Sequence, residues 1–456
     1  MTDRKTLSPL MQELAGYVAA APSRALPAPV AEKAKHHLLD TLAAMVSGSR
    51  LLPGRRAIAF AAAQGGTPEA GVVGSTLVTS AINAALANGM HGHSDETDDA
   101  YYLALVHPGC SVIPAALAVA ERERAGGAAL LGAIVLGYDV CVRTSHALGV
   151  EKFRSSGHST HSFGGTMGSA AAAAALLGLT FDQARYMISY AAQQCSGLSC
   201  WARDIEHVEK AFHFGGMPAR NGVTAAIMAS MGFTAVEDVL AGDRSFFHAF
   251  AAFAEPRRLV DGLGERFDIM ATAIKRWAIG YPIQAPIDAV SNLVARHKLS
   301  AADVAHVRVA IDEQGAKTTN ARTMASINIQ HLVALMLVDG AITFKSAHDA
   351  ARVSDPEILA LKARVELVGS AELNKPDTTE SIVEVTTHDG RALRHHTTAV
   401  LGTPGNPMTR TDLEVKCRDL LVPVIGAART DELIATVWDI EKVGDARALR
   451  KLLMAE

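Results

Sequence analysis

Cysteine, aromatic side chains and a surplus of charge of either sign are all scarce in this chain. Its five cysteines (Cys110, Cys141, Cys195, Cys200 and Cys417) are an odd, scattered set among 456 residues. That argues against a disulfide scaffold, and the spacing of the nearest pair, Cys195 and Cys200, fits neither a zinc knuckle nor a redox motif. Buried free thiols in a reducing compartment are the expectation. Aromatics make up only 5% of the chain while alanine is abundant, a composition that favours closely packed helices. The net charge of −4 and a pI near 6.5 leave no global basic face, so neither nucleic acid nor an acidic membrane surface is expected as a partner. Any anionic ligand must then be held by local cations. The longest apolar stretches, residues 126–142 and 168–179, are rich in alanine and glycine and short of a confident bilayer span. Met1-Thr-Asp-Arg-Lys5 lacks the apolar core of a signal peptide. A cytoplasmic protein is expected.

What is present describes a well-buried globular chain, 49% hydrophobic and 20% charged. Its length exceeds what one core usually serves, so two domains are expected. Ser8-Pro9 reads as an N-cap followed by proline at the first helical position, with Leu10, Leu14 and Val18 at helical spacing. Further helices are predicted at 80–90, 113–123, 127–148, 168–177, 181–194 and 216–231. After about residue 267 the period changes. His306-Val-Arg-Val-Ala-Ile311 and Ser381-Ile-Val-Glu-Val-Thr-Thr387 alternate as strands do, and Asp389-Gly390 signals a hairpin into 392–400. Residues 364–368 are another strand candidate, with helices at 286–296 and 328–338. The helical signal returns after Thr403-Pro-Gly-Asn-Pro407. The expected fold is mainly α: a helical domain formed by 1–267 and 403–456, with a smaller α/β domain of antiparallel sheet inserted at 268–402.

Four carboxylates and two imidazoles lie within nine residues in His91-Gly-His-Ser-Asp-Glu-Thr-Asp-Asp99, followed closely by His107-Pro-Gly109. So many like charges repel unless cations, donors or bound protons offset them, which marks the stretch as a site. Two other readings stand beside it. Asp98 and Asp99 could cap a following helix. His91, His93, Asp95 and Asp99 could instead ligate a metal in a hydrolase, although neither a His-Glu-x-x-His motif nor a close cysteine pair accompanies them.

These segments, together with Gly165-Thr-Met-Gly-Ser-Ala-Ala-Ala172, Lys210-Ala-Phe-His-Phe-Gly215, Ala219-Arg-Asn-Gly-Val223, Asp339-Gly-Ala-Ile-Thr343 and Gly405-Asn-Pro-Met-Thr409, resemble the MmgE/PrpD family in order and spacing. The resemblance implies a cofactor-free, metal-free homodimer acting on small di- or tricarboxylates by making or protonating a carbanion beside a carboxylate. Such chemistry needs a base, cations for the carboxylates and often an acid for the leaving group. By matching position the resemblance implies His107 as acid or base, with His158, Lys210, Lys275 and Asp95 as further catalytic residues. Glu96, Asp98, Asp99, Gln284 and His331 are implied as substrate-binding. His91, His146, His207, His395 and His396 have no such support and are read as surface or structural.

Departures from the pattern bear on the reaction. The acidic motif of the decarboxylase and dehydratase members reads Asp-x-Asp-Asp-Thr, whereas Glu96-Thr-Asp98-Asp99-Ala100 stands here, with Asp95 one position earlier. A decarboxylase-type tyrosine aligns with His331. Lys275-Arg-Trp-Ala-Ile-Gly-Tyr-Pro-Ile-Gln284 lacks a histidine often found some ten positions on. The expectation is a hydro-lyase of the 2-methylcitrate dehydratase type, with an iminodisuccinate-type epimerase or a cis-aconitate-type decarboxylase as alternatives. A metal-dependent hydrolase and a non-catalytic carboxylate-binding helical dimer are the rivals from other classes.

Overall fold

Ser8 is extended and its hydroxyl accepts the Met11 amide at 3.2 Å, so the helix α1 (Pro9–Ala20) starts where the serine-proline pair places it. In the computed structural model, residues 7–375 and 379–455 are described; the Met1-Thr-Asp-Arg-Lys5 stretch lies outside them. The chain forms two compact units. One gathers Asp98–Thr272 with the chain up to Ser94 and from Leu413 onward. The other gathers Asp95–Thr97 with Ala273–Asp412.

The first unit is helical: α2 (Ala28–Gly48), α3 (Ala81–Gly92), α4 (Gly109–Glu123), α5 (Gly127–Ala147), α6 (Thr160–Leu176), α7 (Phe181–Gln194) and α8 (Met217–Ser230) build most of it. A small antiparallel ladder pairs Ala70–Gly71 with Val78–Thr79. Every residue of α6 from Thr160 to Ala174 is buried, the mark of a central helix. It packs on α5 with little between the backbones. A Cβ on Gly168 would lie 2.5 Å from the Gly137 carbonyl oxygen, and one on Gly164 would lie 2.3 Å from Ser145 Oγ. This seam corrects the expected start of α6 at residue 168. The glycines at 164, 165 and 168 read locally as helix weakeners, but the packing gained by close approach carries the helix back to Thr160. α5 is long and apolar enough to cross a membrane, and 83% of its most apolar window is buried inside the unit, as in a core helix.

The second unit packs α9 (Gln284–His297) and α10 (Ile329–Asp339) on a sheet of β1 (Val304–Ile311), β2 (Val365–Gly369), β3 (Ser381–Thr387) and β4 (Ala392–Thr397), with the short α11 (Phe344–His348) nearby in sequence. The strand order is β2-β1-β3-β4. Val307, Val309, Val383 and Val385 alternate inward to meet Ile287, Val290, Leu332 and Leu335. The sheet is mixed, not wholly antiparallel as expected. β1 and β2 run parallel, Val307 opposite Val365, while β1–β3 and β3–β4 are antiparallel. The tight Asp389-Gly390 turn enforces an antiparallel pair, whereas the long helical crossover from β1 to β2 permits a parallel one.

The chain then enters α12 (Arg410–Ile425) and α13 (Ala427–Trp438). Within the first unit, α12 buries Leu413, Cys417, Leu420 and Leu421 and pairs Lys416 with the wholly buried Asp40 of α2.

Candidate active site

α3 ends at Gly92, and the turn that follows brings two histidines to one carboxylate. Asp98 Oδ2 lies 2.9 Å from His93 Nδ1 and 3.3 Å from His107 Nδ1. His93 and Asp98 are wholly buried and His107 is slightly open. The His93 contact is a hydrogen bond; the His107 contact is electrostatic, off the line of an aligned bond. Asp98 thus faces His107 on its Nδ1 side, and Nε2 points away from this contact.

Asp99 faces a different way. Its Oδ1 accepts the Gly109 amide at 2.9 Å, capping the first residue of α4. Its Oδ2 accepts Tyr138 Oη at 2.6 Å and faces His37 Nδ1 at 2.7 Å. Asp99, expected to bind substrate, has both oxygens committed to α2, α4 and α5. Gly109 has to be glycine, since a Cβ there would meet Thr41 Oγ1 at 2.7 Å and Asp99 Oδ1 at 2.9 Å.

The chain enters α8 through a short helix, Val208–Ala211, and a π-turn, Phe212–Gly216, the kind of helical irregularity common at functional sites. It places Phe214 as a platform. His93 stacks on Phe214 at 4.3 Å and His161 at 3.7 Å, while His107 meets it edge-on at 5.4 Å. Lys210 Nζ lies 5.1 Å from the Phe214 ring centre and 5.3 Å from that of Trp201. His207, read from sequence as surface or structural, is buried with its ring 5.1 Å from that of His93. His158 packs instead against Phe153, Phe163 and Phe250. It is His161, one helical turn on, whose ring lies 5.3 Å from His107. The structure therefore brings His107, Asp98 and Lys210 together and adds His93, His161, His207, His213 and Trp201. His161 was hidden because its stretch read as loop before α6.

Burial keeps His93, His161 and His213 neutral. It holds His161 well below its ordinary pKa, helped by repulsion from His107 and His213. Burial lowers His213 to about 4, with His93 adding to the effect. In His93 it outweighs the upward pull of Asp98. Nε2 of His93 and His213, Nδ1 of His161 and Nε1 of Trp201 are buried without a hydrogen-bond partner among the described residues. Leaving such atoms unpaired is costly, so the cluster suits a ligand rich in hydrogen-bonding oxygens.

Among the described residues, the expected ligand set of His91, His93, Asp95 and Asp99 is not gathered. His91 Nε2 donates to the Gly54 carbonyl at 3.2 Å, Asp99 is committed as above, and Asp95 bonds Thr97. His93, Asp98 and Cys110 do offer atoms within 4.8 Å of one another. The first two are hydrogen-bonded together, however, and burial raises the Cys110 thiol well above its usual range, so it keeps the proton it donates to the His107 carbonyl at 3.2 Å.

The second unit holds its own charged cluster. Lys275 is almost wholly buried; its Nζ donates to the Glu96 carbonyl at 3.0 Å and lies 3.8 Å from Glu96 Oε2. Asp95 accepts the Thr97 amide at 3.0 Å and the Thr97 hydroxyl at 2.7 Å. Gln284, expected to bind substrate, spends its side-chain amide on the backbone of Arg276, Trp277 and Ile279 and so shapes the segment after Lys275. His331 is buried in α10 with Nε2 lacking a hydrogen-bond partner among the described residues, and burial lowers its pKa.

Comparison with known proteins fits this picture. The chain is similar to a cis-aconitate decarboxylase-like protein, oryM, of Aspergillus oryzae, 25% identical over 100% of this chain and 99% of the relative. It is similar to the cis-aconitate decarboxylases of Homo sapiens, 27% identical over 81% of this chain and 79% of the relative, and of Aspergillus terreus, 25% identical over 94% and 92%. Residues 12–258 match the MmgE/PrpD N-terminal domain and residues 277–440 match the MmgE/PrpD C-terminal domain. The histidine and lysine platform lies within the first of these matches and Lys275 two residues before the second, and with both domains present in order, the chain belongs to the MmgE/PrpD family.

Proposed function

We propose that this protein is a lyase that acts on a small tricarboxylate by proton transfer at a carbon beside a carboxylate, as a homodimer without a cofactor. One observation carries the reading: His107, faced by Asp98, stands among neutral buried imidazoles on Phe214 with Lys210 over the same ring. A multiply charged anion would pair with the Lys210 ammonium and accept or donate hydrogen bonds at the buried polar atoms.

Decarboxylation is the reaction favoured by the names of the relatives. The bond from carbon to a departing carboxylate breaks, carbon dioxide leaves, and the electron pair stays on carbon. The remaining carboxylates, held by Lys210 and the imidazoles, spread that charge, and His107 in its protonated form delivers a proton to the carbon. Dehydration of a 2-methylcitrate-type substrate is the second reading. It is favoured at His331, where a buried imidazole whose Nε2 has no hydrogen-bond partner among the described residues stands at the position of the decarboxylase-type tyrosine. There a base removes the proton beside a carboxylate, and hydroxide leaves with a proton from an acid.

Proton NMR in deuterated water across citrate, 2-methylcitrate, cis-aconitate and iminodisuccinate tests both, because it reports exchange at carbon even without net turnover. His107→Ala should lower turnover by roughly two to four orders of magnitude. Unchanged turnover in a folded variant removes His107 from the mechanism, and inertness toward the whole panel removes the reading.

A further inference from the structure

His348 closes α11, and its ring leans on Phe344 at 4.4 Å. Nδ1 lies 2.8 Å from the Phe344 carbonyl oxygen. A carbonyl only accepts, so Nδ1 carries a hydrogen. The other nitrogen, Nε2, lies 3.1 Å from Asp95 Oδ2, an ion-pair contact rather than an aligned hydrogen bond. A neutral Nε2 and a carboxylate oxygen are both acceptors, and they repel at this distance unless a proton lies between them. Asp95 is 5% exposed, so water screens the contact little. The same carboxylate accepts both donors of Thr97, which folds residues 95–97 around it. Between these two anchors sits Glu96, whose carbonyl receives Lys275 Nζ.

We propose that His348 is a positioning residue: as an imidazolium paired with Asp95 it clamps residues 95–97, and through the Glu96 carbonyl it sets the place of the Lys275 ammonium. The clamp assigns separate roles to the two acids at the altered start of the acidic motif. Asp95 is the anchor, and Glu96 is the partner of Lys275. That Lys275 then bears on turnover rests on the lyase reading above.

Long-range proton–nitrogen spectra of histidine-labelled protein at pH 8 test the pair, with the His348 signals identified by their loss in His348→Gln. A free imidazole is almost wholly neutral there, yet both His348 nitrogens should be protonated. Asp95→Asn should return the ring to a neutral form with hydrogen on Nδ1. A neutral His348 in the unaltered protein overturns the clamp. Acylation of Lys275 by acetic anhydride, read by mass spectrometry, tests the consequence without reference to activity. His348→Gln should raise it several-fold, and Asp95→Asn gives the same readout if the first variant folds poorly. Unchanged acylation overturns the link to Lys275. In turnover assays His348→Gln should raise KM by roughly tenfold or more and add nothing in a Lys275→Met background. A protein inert toward every tricarboxylate defeats the lyase reading, while the spectra and the acylation still decide the clamp.

Discussion

His91 shows what burial does to a histidine outside the His107 cluster. No part of it is exposed, and burial lowers its pKa to about 4, against about 6.5 in an unfolded chain. Between those values the unfolded state binds a proton that the folded state refuses. Its contribution therefore falls as pH drops through the window, by up to about 1.4 kcal/mol per pH unit. His91→Gln keeps a donor for the Gly54 carbonyl and removes the titration. Urea unfolding at pH 7, 6 and 5 should show the stability gap between the unaltered protein and the variant shrinking toward acid; parallel curves would mean that His91 does not titrate in this way. Lys210 makes a different claim. Lys210→Met should weaken a tricarboxylate more than a monocarboxylate analogue, by about 1.5–3 kcal/mol for a lost charge-assisted bond. Equal weakening in calorimetry would reduce Lys210 to a structural cation.

The seam between α5 and α6 is a prediction about helices. Gly168→Ala forces a methyl to 2.5 Å from a carbonyl oxygen on α5, which has no flexible side chain to yield, so a loss of about 1–3 kcal/mol is expected. Gly132, also on α5, has nothing within 4 Å of its would-be Cβ. Gly132→Ala should be neutral or stabilising by roughly 0.5–1 kcal/mol. Thermal unfolding that ranked the two the other way would refute the close approach. Elements with local signals were legible: Ser8 caps its helix where the serine-proline pair predicts, and β3 covers the alternating run at Ser381–Thr387. The start of α6 was not, because a glycine that permits contact looks in sequence like one that breaks a helix.

Across the molecule, the pair Lys416–Asp40 joins residues far apart in the chain. Burial raises the Asp40 carboxyl to about 6, against the downward pull of Lys416. Lys416→Met should cost about 3–5 kcal/mol by stranding a buried charge, and adding Asp40→Asn should recover part of it. Urea unfolding in which the double variant is no better than the single would exclude the pair as the cause. Activity as a whole should survive exhaustive chelation, with no stoichiometric transition metal by elemental analysis. Loss on chelation restored by zinc, manganese or iron would reinstate a metal mechanism.

Sequence alone was enough to identify the mainly helical class and the family, because periodicity, caps and motif order are local properties of the chain; the family resemblance also pointed to His107, Asp98 and Lys210, which the first unit brings together. It could not divide labour among neighbouring acids. Asp95, Glu96, Asp98 and Asp99 are alike in charge and almost adjacent, and their separate tasks depend on what long-range folding sets against them: His348, Lys275, His93 with His107, and Tyr138 with His37. Nor could it recruit His93 and His161 to one aromatic platform with His207 beside His93, or pair β1 and β2 in parallel. Those choices are made by packing between segments distant in the chain, where the environment of a side chain, and not its identity, sets its charge and its partners.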